Sequence, residues 1–433
     1  MQKNTKKSSI KPVARFNIKG IDNKKILNGV LPVRGAKNAV LKAQAASLLF
    51  SDEICINNSP LIDDVIKMNE LLEDLGVEVK RMSERSFVFK QPKTFKTNLD
   101  PKIAKSFRAS IVLTGPLLAR EGKVSFPHPG GCVIGKRPID VFLDAFIKMG
   151  AKLKIEDDRY ILEAKHLKGI DLFFKVPSVT ATETLIMTAV LINGTTKLYN
   201  CACEPEIESL ADFLNLSGAK ISGAGTPFIT IKGGKKLKRG VFNTPPDRIE
   251  AGSFAIIAAL CGKNLKIANC DPNHMHAILC VLENAGVDVK KGSNYILINA
   301  PSKLKPVDIK THEYPGFPTD LQAPVCVLLT QAVGSSSIFE TVFEDRLNYT
   351  NDLVRMGANI MNCGPHRAIV SGPTPLHGRE MESLDLRAGL AFLTAALISE
   401  SSSVLHNINN IDRGYEKVEE RLNKVGAEIT REN

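Results

Sequence analysis

Apolar and polar positions along the chain repeat one phrase six times: an amphipathic stretch, a glycine, then a short run of alternating residues. It reads Asp-Leu-Gly76-Val-Glu-Val, Lys-Met-Gly150-Ala-Lys-Leu, Leu-Ser-Gly218-Ala-Lys-Ile, Asn-Ala-Gly286-Val-Asp-Val, Arg-Met-Gly357-Ala-Asn-Ile and Lys-Val-Gly426-Ala-Glu-Ile. The glycines stand 74, 68, 68, 71 and 69 residues apart. Before each the apolar period is helical, as over 65–75, so the glycine fits the position just past a helix end. After it the period drops to two, which predicts a strand. In the first five copies a turn and a second strand follow, as in 152–155 and 160–163. Upstream in every unit lies a stretch that is apolar nearly all round: 39–49, 110–118, 184–192, 254–260, 325–333 and 390–398. A helix apolar on every face is buried. The unit is therefore strand, buried helix, strand, amphipathic helix, strand, strand. Six α/β units with a period near 70 residues are too long for a common solenoid and predict two lobes of three, helices inside and sheets around them.

The buried helices open on polar residues. These are Lys37-Asn38, Arg108-Ala-Ser110, Ser178-Val-Thr180-Ala-Thr182-Glu183, Asp247-Arg248-Ile-Glu250, Phe317-Pro-Thr319-Asp320 and Asp385-Leu-Arg387. Capping accounts for the acids and hydroxyls, and Thr180…Glu183 and Asp247…Glu250 have capping-box spacing. Capping does not account for Lys37, Arg108 and Arg387, because cations oppose the positive end of a helix dipole. They add positive potential where free N–H groups already favour anions. If equivalent units face one cleft, these starts converge on a site for something heavily phosphorylated.

Charge and composition narrow the partners. The net charge is +11 over 433 residues, with lysines scattered apart from the Lys3 to Lys11 tail. That favours phosphate-bearing small molecules over a polyanion. With no tryptophan and 6% aromatics, stacking platforms for nucleic acid are scarce. The nine cysteines are odd in number, lack a Cys-x-x-Cys and sit mostly in apolar runs, which predicts a reducing cytoplasm rather than a disulfide framework. No secretory h-region follows the basic N-terminus, and no apolar run nears the roughly 18 residues of a membrane span. Cys201-x-Cys203 has no histidine pair at ligand spacing, and His274 and His276 read as polar loop residues, so no metal or other cofactor is expected. One stretch stands apart: Phe126-Pro-His-Pro-Gly-Gly-Cys132-Val-Ile-Gly-Lys-Arg137-Pro138. Its prolines and glycines predict an exposed loop. Lys136 and Arg137 close to Cys132 favour the thiolate, as suits a lid over an anionic substrate.

Several motifs stand in a telling order. They are Gly35-Ala-Lys37-Asn38-Ala, Arg108-Ala-Ser-Ile, Pro129-Gly-Gly-Cys132-x-Ile-Gly-x-Arg137-Pro-x-Asp140, Pro246-Asp-Arg-Ile-Glu, Phe317-Pro-Thr-Asp320, Glu340-Thr-Val342-Phe-Glu-x-Arg346, Asp385-Leu-Arg387 and Ile411-Asp-Arg413-Gly-Tyr-Glu. From about residue 15 onward the chain resembles the UDP-N-acetylglucosamine 1-carboxyvinyltransferases. The resemblance implies a two-lobed inside-out α/β barrel. One lobe would be 37–245 and carry the cysteine loop; the other would be 1–36 with 246–433, and the substrates would lie between them. It implies transfer of the enolpyruvyl group of phosphoenolpyruvate to the 3′-hydroxyl of UDP-N-acetylglucosamine by addition–elimination, with release of phosphate. This is the first committed step of peptidoglycan synthesis and needs no metal. Phosphoenolpyruvate would sit among Lys37, Arg108, Arg137 and Arg413. Cys132 would protonate the enol and can also attack it, and Asp320 would face the sugar hydroxyl as base or orienter. Asn38 and the backbone at Val342 would hold the sugar. Arg137, Pro138, Ile139, Asp140 and Val141, with Val176, Pro177, Ser178 and Val179, would surround the uridine and diphosphate. Arg346, Asp385 and Arg387 complete the binding set.

His128, Lys136, Phe142, Thr180 and Cys203 depart from the usual pattern, outside the catalytic core. The plain alternatives at the same positions are helix caps for Asp320, Asp247 and Glu250, and surface ion pairs for Arg346 and Arg413. Two rival functions fit parts of the pattern. A shikimate 3-phosphate enolpyruvyl transferase would share the fold but lacks the cysteine lid and the Arg-Pro-x-Asp stretch. The scarce aromatics and the scattered lysines argue against a basic nucleic-acid binder that reuses the fold. The expected partners are the two small substrates, with no nucleic acid and no membrane, and an oligomeric state left open, monomer included.

Overall fold

The computed structural model describes residues 14–130 and 138–433. The six repeat glycines all adopt a positive φ, from 87° at Gly286 to 112° at Gly150. A side chain is strained in that conformation, so each glycine ends its helix and turns the chain into the following strand.

The third unit shows the plan. Strand Asp171–Phe173, buried helix Val179–Leu191 and strand Thr195–Tyr199 form a parallel crossover; helix Pro205–Leu216 leads on to Ile221–Ser222 and Phe228–Lys232, which close the sheet antiparallel. In the first and fourth units the opening strands are exchanged. Leu27–Pro32, which leads into helix Lys37–Ala46, pairs with Gly262–Ala268 of the fourth unit. Gly240–Asn243, which leads into helix Arg248–Cys261, pairs with Ile54–Asn57 of the first. The sixth unit has a single strand after its glycine, and Arg15–Ile18 fills the missing place between Ser403–His406 and Ile429–Glu432. The two crossings run side by side: Gly35 bridges Pro246, and the Ala36 N–H donates to the Pro245 carbonyl. A Cβ at Gly35 would lie 2.0 Å from the Asn58 carbonyl oxygen, so this close approach needs glycine.

The buried apolar residues form two cores. One gathers residues between Ala36 and Phe242; the other joins Phe16 to Val33 with residues from Ile249 to Ile429. Helices Val179–Leu191, Arg248–Cys261 and Leu386–Ile398 are buried almost throughout, while strands such as Phe228–Lys232 bury alternate residues, so the helices lie inside and the sheets outside. Among the described residues there are six sheets, five of four strands and one of three. No helix among them is long and apolar enough to cross a membrane.

Local details differ from the sequence reading. Arg108–Leu113 and Thr319–Leu321 wind as 3-10 turns ahead of α-helices Thr114–Glu121 and Gln322–Leu329. Pro116 and Pro324 explain this: without an N–H, proline is tolerated only in the first turn, so the α-ladder begins just before it. The fifth buried helix stops at Leu329, short of the expected end, and Val333 is exposed. No capping box forms at Thr180; the cap is Ser178, whose Oγ accepts from the Ala181 N–H. Phe126 and Pro127 belong to strand Lys123–Pro127 at the end of the three-stranded sheet, where a missing N–H is harmless. The expected loop begins at His128, and 131–137 lie outside the described residues.

Candidate active site

A cleft of about 1190 Å³ lies between the two cores, and the starts of all six buried helices open into it. Lys37 and Asn38 come from the first unit, Arg108 from the second and Ser178 with Val179 from the third. Arg248, Asp320, and Asp385 with Arg387 come from the fourth, fifth and sixth. The convergence expected from the helix starts is thus realised.

Two carboxylates organise the cations. Asp64, in the first turn of helix Asp63–Asp74, accepts from Lys37 Nζ at 2.6 Å and from Arg413 Nε at 3.0 Å. Burial alone would raise the Asp64 pKa, but Lys37 and Arg413 hold it below the ordinary carboxylate value. Burial lowers the Lys37 pKa; Asp64 pulls it up, while Arg413 and Arg387 add to the fall. An anion arriving beside Lys37 would raise that pKa again. Sequence reading missed Asp64 as a site residue. In its own helix it is an ordinary first-turn acid, and only the fold brings Arg413 to it across 349 positions.

Asp320 is the second centre. Its Oδ1 accepts from Arg346 Nη2 at 2.9 Å and its Oδ2 from Arg387 Nη2 at 3.1 Å. Burial would raise its pKa, yet Arg387 and Arg346 outweigh that and hold it far below the carboxylate range. Arg387 in turn donates from Nη1 to Tyr415 Oη at 2.9 Å, and Ser253 Oγ lies 3.0 Å from the same oxygen. Asp320 is therefore not a cap: its turn begins at Pro318 without a side-chain cap. Arg346 is buried, and Arg413 is part-buried on the cleft wall, so neither is a surface ion-pair residue. Asp385 does cap, accepting from the N–H groups of Arg387 and Ala388 at 2.7 and 3.1 Å. Asp247 caps Ile249 and Glu250 and also accepts from the Lys37 N–H at 3.2 Å. Glu250 returns no bond to it; it accepts instead from Arg421 Nη2 at 2.6 Å and the Arg34 N–H at 2.7 Å.

Elsewhere on the wall are Pro138, Asp140 and Val141, then Val176 and Pro177 ahead of Ser178, and Val342 opposite. Phe142 and Thr180 also line it. Ile139 does not; it is 2% exposed and packs into the core. Its side chain serves as a packing anchor between Pro138 and the helix Asp140–Met149. Arg108 Nη1 lies 3.4 Å from the Pro129 carbonyl oxygen. Cys132, Lys136 and Arg137 lie outside the described residues. Burial pushes the thiols of Cys201, Cys261 and Cys326 up to about 12 and Cys270 to about 11, whereas Cys280 and Cys363 are exposed. Among the described residues no three His, Cys, Asp or Glu side chains gather as a metal site requires.

At the cleft floor Lys42 Nζ meets Glu183 Oε2 at 3.0 Å, both buried. Burial lifts the Glu183 carboxyl from 4.5 to about 7 against the pull of Lys42. Folded protein then holds more protons than unfolded protein between those values, so stability falls as pH rises through that window. Removing one partner of a buried pair is worse than removing both. Lys42→Met is expected to destabilise the protein by about 3–5 kcal/mol, and Lys42→Met with Glu183→Leu to recover most of the loss. Denaturant melts of the three proteins check this; a double variant no more stable than Lys42→Met would refute it.

Residues 21–422 match the family model described as EPSP synthase (3-phosphoshikimate 1-carboxyvinyltransferase). A UDP-N-acetylglucosamine 1-carboxyvinyltransferase of Koribacter versatilis is 42% identical over 409 residues, covering 94% of each chain. One of Caldanaerobacter subterraneus subsp. tengcongensis is 41% identical over 405 residues, covering 94% of this chain and 97% of its own. The crystal structure of the enolpyruvyl transferase NikO from Streptomyces tendae has the same fold, with a TM-score of 0.88 at 24% identity over 97% of this chain and 99% of that one. EPSP synthase from Acinetobacter baumannii follows at a TM-score of 0.74 and 18% identity, over 97% and 100%.

Proposed function

This chain belongs to the EPSP synthase family, among the UDP-N-acetylglucosamine 1-carboxyvinyltransferases, and from that membership we propose the chemistry of its cleft. It is a transferase. It moves the enolpyruvyl group of phosphoenolpyruvate to the 3′-hydroxyl of UDP-N-acetylglucosamine and releases phosphate, the first step of peptidoglycan synthesis. The observation that carries this reading is the shared name of relatives about 42% identical over 94% of the chain.

The reaction sets four tasks. The sugar hydroxyl must lose its proton as its oxygen bonds to C2 of the enol; Asp320 faces this step. C3 must gain a proton, which Cys132 supplies. The carboxylate and phosphate must be held, by Lys37, Arg108, Arg137 and Arg413. The proton then leaves C3 as the C2–O bond to phosphate breaks and the enol ether re-forms. Fixed cations in a closed cleft stabilise the charge that develops, and holding two substrates in line supplies a further share of the rate. Asn38 and the Val342 backbone hold the sugar, while Pro138, Asp140, Val141 and the 176–179 segment take the nucleotide.

The two cores are read as two lobes, 37–245 and 1–36 with 246–433, and the paired crossings at Gly35 and Pro246 as their hinge. The unpaired cysteines suit the cytoplasm.

Lys37→Ala and Arg413→Ala are each expected to lower kcat/KM for phosphoenolpyruvate by roughly a hundredfold, through lost charge-assisted bonds to a buried anion. Near-normal turnover in either variant would remove that residue from the clamp. The function itself is tested by phosphate release from phosphoenolpyruvate. Release should depend on UDP-N-acetylglucosamine; dependence on shikimate 3-phosphate instead would assign the chain to the sister activity.

A further inference from the structure

We propose that Glu340 is a positioning residue for the sugar side of the cleft, acting on Asp320 through the Thr319 hydroxyl and on Val342 through its backbone. The inference rests on the reading of Asp320 and Val342 given above. Glu340 follows strand Gly334–Phe339, is fully buried and does not line the cleft. Its carboxylate is nevertheless fully engaged. Oε1 accepts from Thr311 Oγ1 at 3.0 Å, from the Val342 N–H at 2.8 Å and from the Phe343 N–H at 3.2 Å. Oε2 accepts from Thr319 Oγ1 at 2.8 Å. Thr341 ties the same corner again: its N–H donates to Thr311 Oγ1 at 2.8 Å and its hydroxyl to the Thr311 carbonyl at 2.6 Å.

The chemistry fits a rigid joint. An ionised carboxylate offers acceptors only, and here four donors from three chain segments converge on it. A satisfied buried network fixes its members relative to one another. One segment carries the Val342 backbone; another carries Thr319, whose neighbour Asp320 is gripped from the far side by Arg346 and Arg387. Asp320 is thereby set from two directions, by guanidiniums on its carboxylate and by Glu340 on its turn. If that turn relaxes, the sugar hydroxyl loses its alignment while the phosphoenolpyruvate clamp at Asp64, Lys37 and Arg413 keeps its geometry.

Steady-state kinetics of Thr319→Val, Thr319→Ser, Glu340→Ala and the Thr319→Val/Glu340→Ala double variant test this. Thr319→Val is expected to lower kcat/KM for UDP-N-acetylglucosamine about 10- to 100-fold, the scale of a lost bond to a charged group, with KM for phosphoenolpyruvate within about twofold. Thr319→Ser, which keeps the hydroxyl, should return close to wild type. In the double variant the loss should fall short of the product of the two single losses, because both remove one joint. If Glu340→Ala does not fold, the two Thr319 variants decide alone. Thr319→Val kinetics like wild type, a KM for phosphoenolpyruvate raised well beyond twofold, or no rescue by serine would overturn the inference. A wild-type protein that releases no phosphate with the two substrates would instead overturn the reading beneath it, and the inference with it.

Discussion

Asp320→Asn is expected to lower kcat by roughly 10²- to 10⁴-fold, the range of a lost acid–base or aligning group. The asparagine is nearly isosteric and can still accept through its amide oxygen, so the turn should survive. It cannot serve Arg346 and Arg387 with two charged oxygens, and it cannot take the sugar proton. The ion pairs also say what kind of base Asp320 is. Held by two guanidiniums, its carboxylate sits far below its ordinary pKa and is a feeble base in the ligand-free protein. It gains basicity only if the arriving anions draw Arg387 or Arg346 away. The pH profile of kcat/KM, which reports the free enzyme, should therefore show no inflection from Asp320 between about pH 5 and 8. An Asp320→Asn enzyme keeping more than a tenth of wild-type kcat would remove Asp320 from the chemistry. An acid limb in that window that disappears in Asp320→Asn would show that its carboxyl is not held ionised.

How much of this could be read along the chain depends on how local the cause is. The six glycines were legible because a helix end is decided within a few residues, and all six adopt the φ that their position required. The convergence of helix starts was legible because Lys37, Arg108 and Arg387 oppose a dipole, an anomaly visible without tertiary structure. The exchange of opening strands between the first and fourth units was not legible in the repeat, and only the resemblance implied that 1–36 joins 246–433. Leu27–Pro32 would pair with Ile54–Asn57 as naturally as with Gly262–Ala268, and nothing in six similar residues selects the partner. Asp320 was ambiguous for a related reason. A short acid at a helix start suits a cap or an ion pair equally, and the choice was made by the 3-10 turn ahead of Pro324 and by arginines 26 and 67 positions away. Asp64 and Glu340 were hidden because each looks ordinary in its own element: Asp64 meets Arg413 only in the fold, and Glu340 ties the nearby Val342 backbone to the distant Thr311 and Thr319. Lys42 was hidden because its helix reads as apolar on all sides, and a lysine there reveals itself only beside Glu183.

Cys132 is expected to be the thiol that an anionic epoxide such as fosfomycin alkylates first in the native protein. The thiolate is the nucleophile, so reactivity follows the ionised fraction and access. With pKa values pushed to about 12, Cys201, Cys261 and Cys326 hold roughly one thiolate in 10⁵ at neutral pH and are buried besides. The rivals by access are Cys280 and Cys363, both exposed, but neither lines the cleft. Cys132 has Lys136 and Arg137 close in sequence, and the chain on either side leads to Arg108, through its contact with Pro129, and to Pro138 on the cleft wall. The cations proposed to hold phosphoenolpyruvate would gather the epoxide's phosphonate beside it. Attack by the sulfur on an epoxide carbon would then form a thioether and leave a hydroxyl on the neighbouring carbon. UDP-N-acetylglucosamine should speed labelling by favouring a closed cleft. Cys132→Ser should resist the epoxide and lose about 10²- to 10⁴-fold in turnover, because a serine hydroxyl is far too weak an acid to protonate the enol. Cys132→Asp should resist it as well yet keep measurable turnover, since a carboxylic acid donates a proton but opens an epoxide poorly. Mass spectrometry of peptides from labelled native protein decides the matter: adduct on Cys280 or Cys363 with Cys132 unmodified would mean that this thiol is not the one the cleft activates.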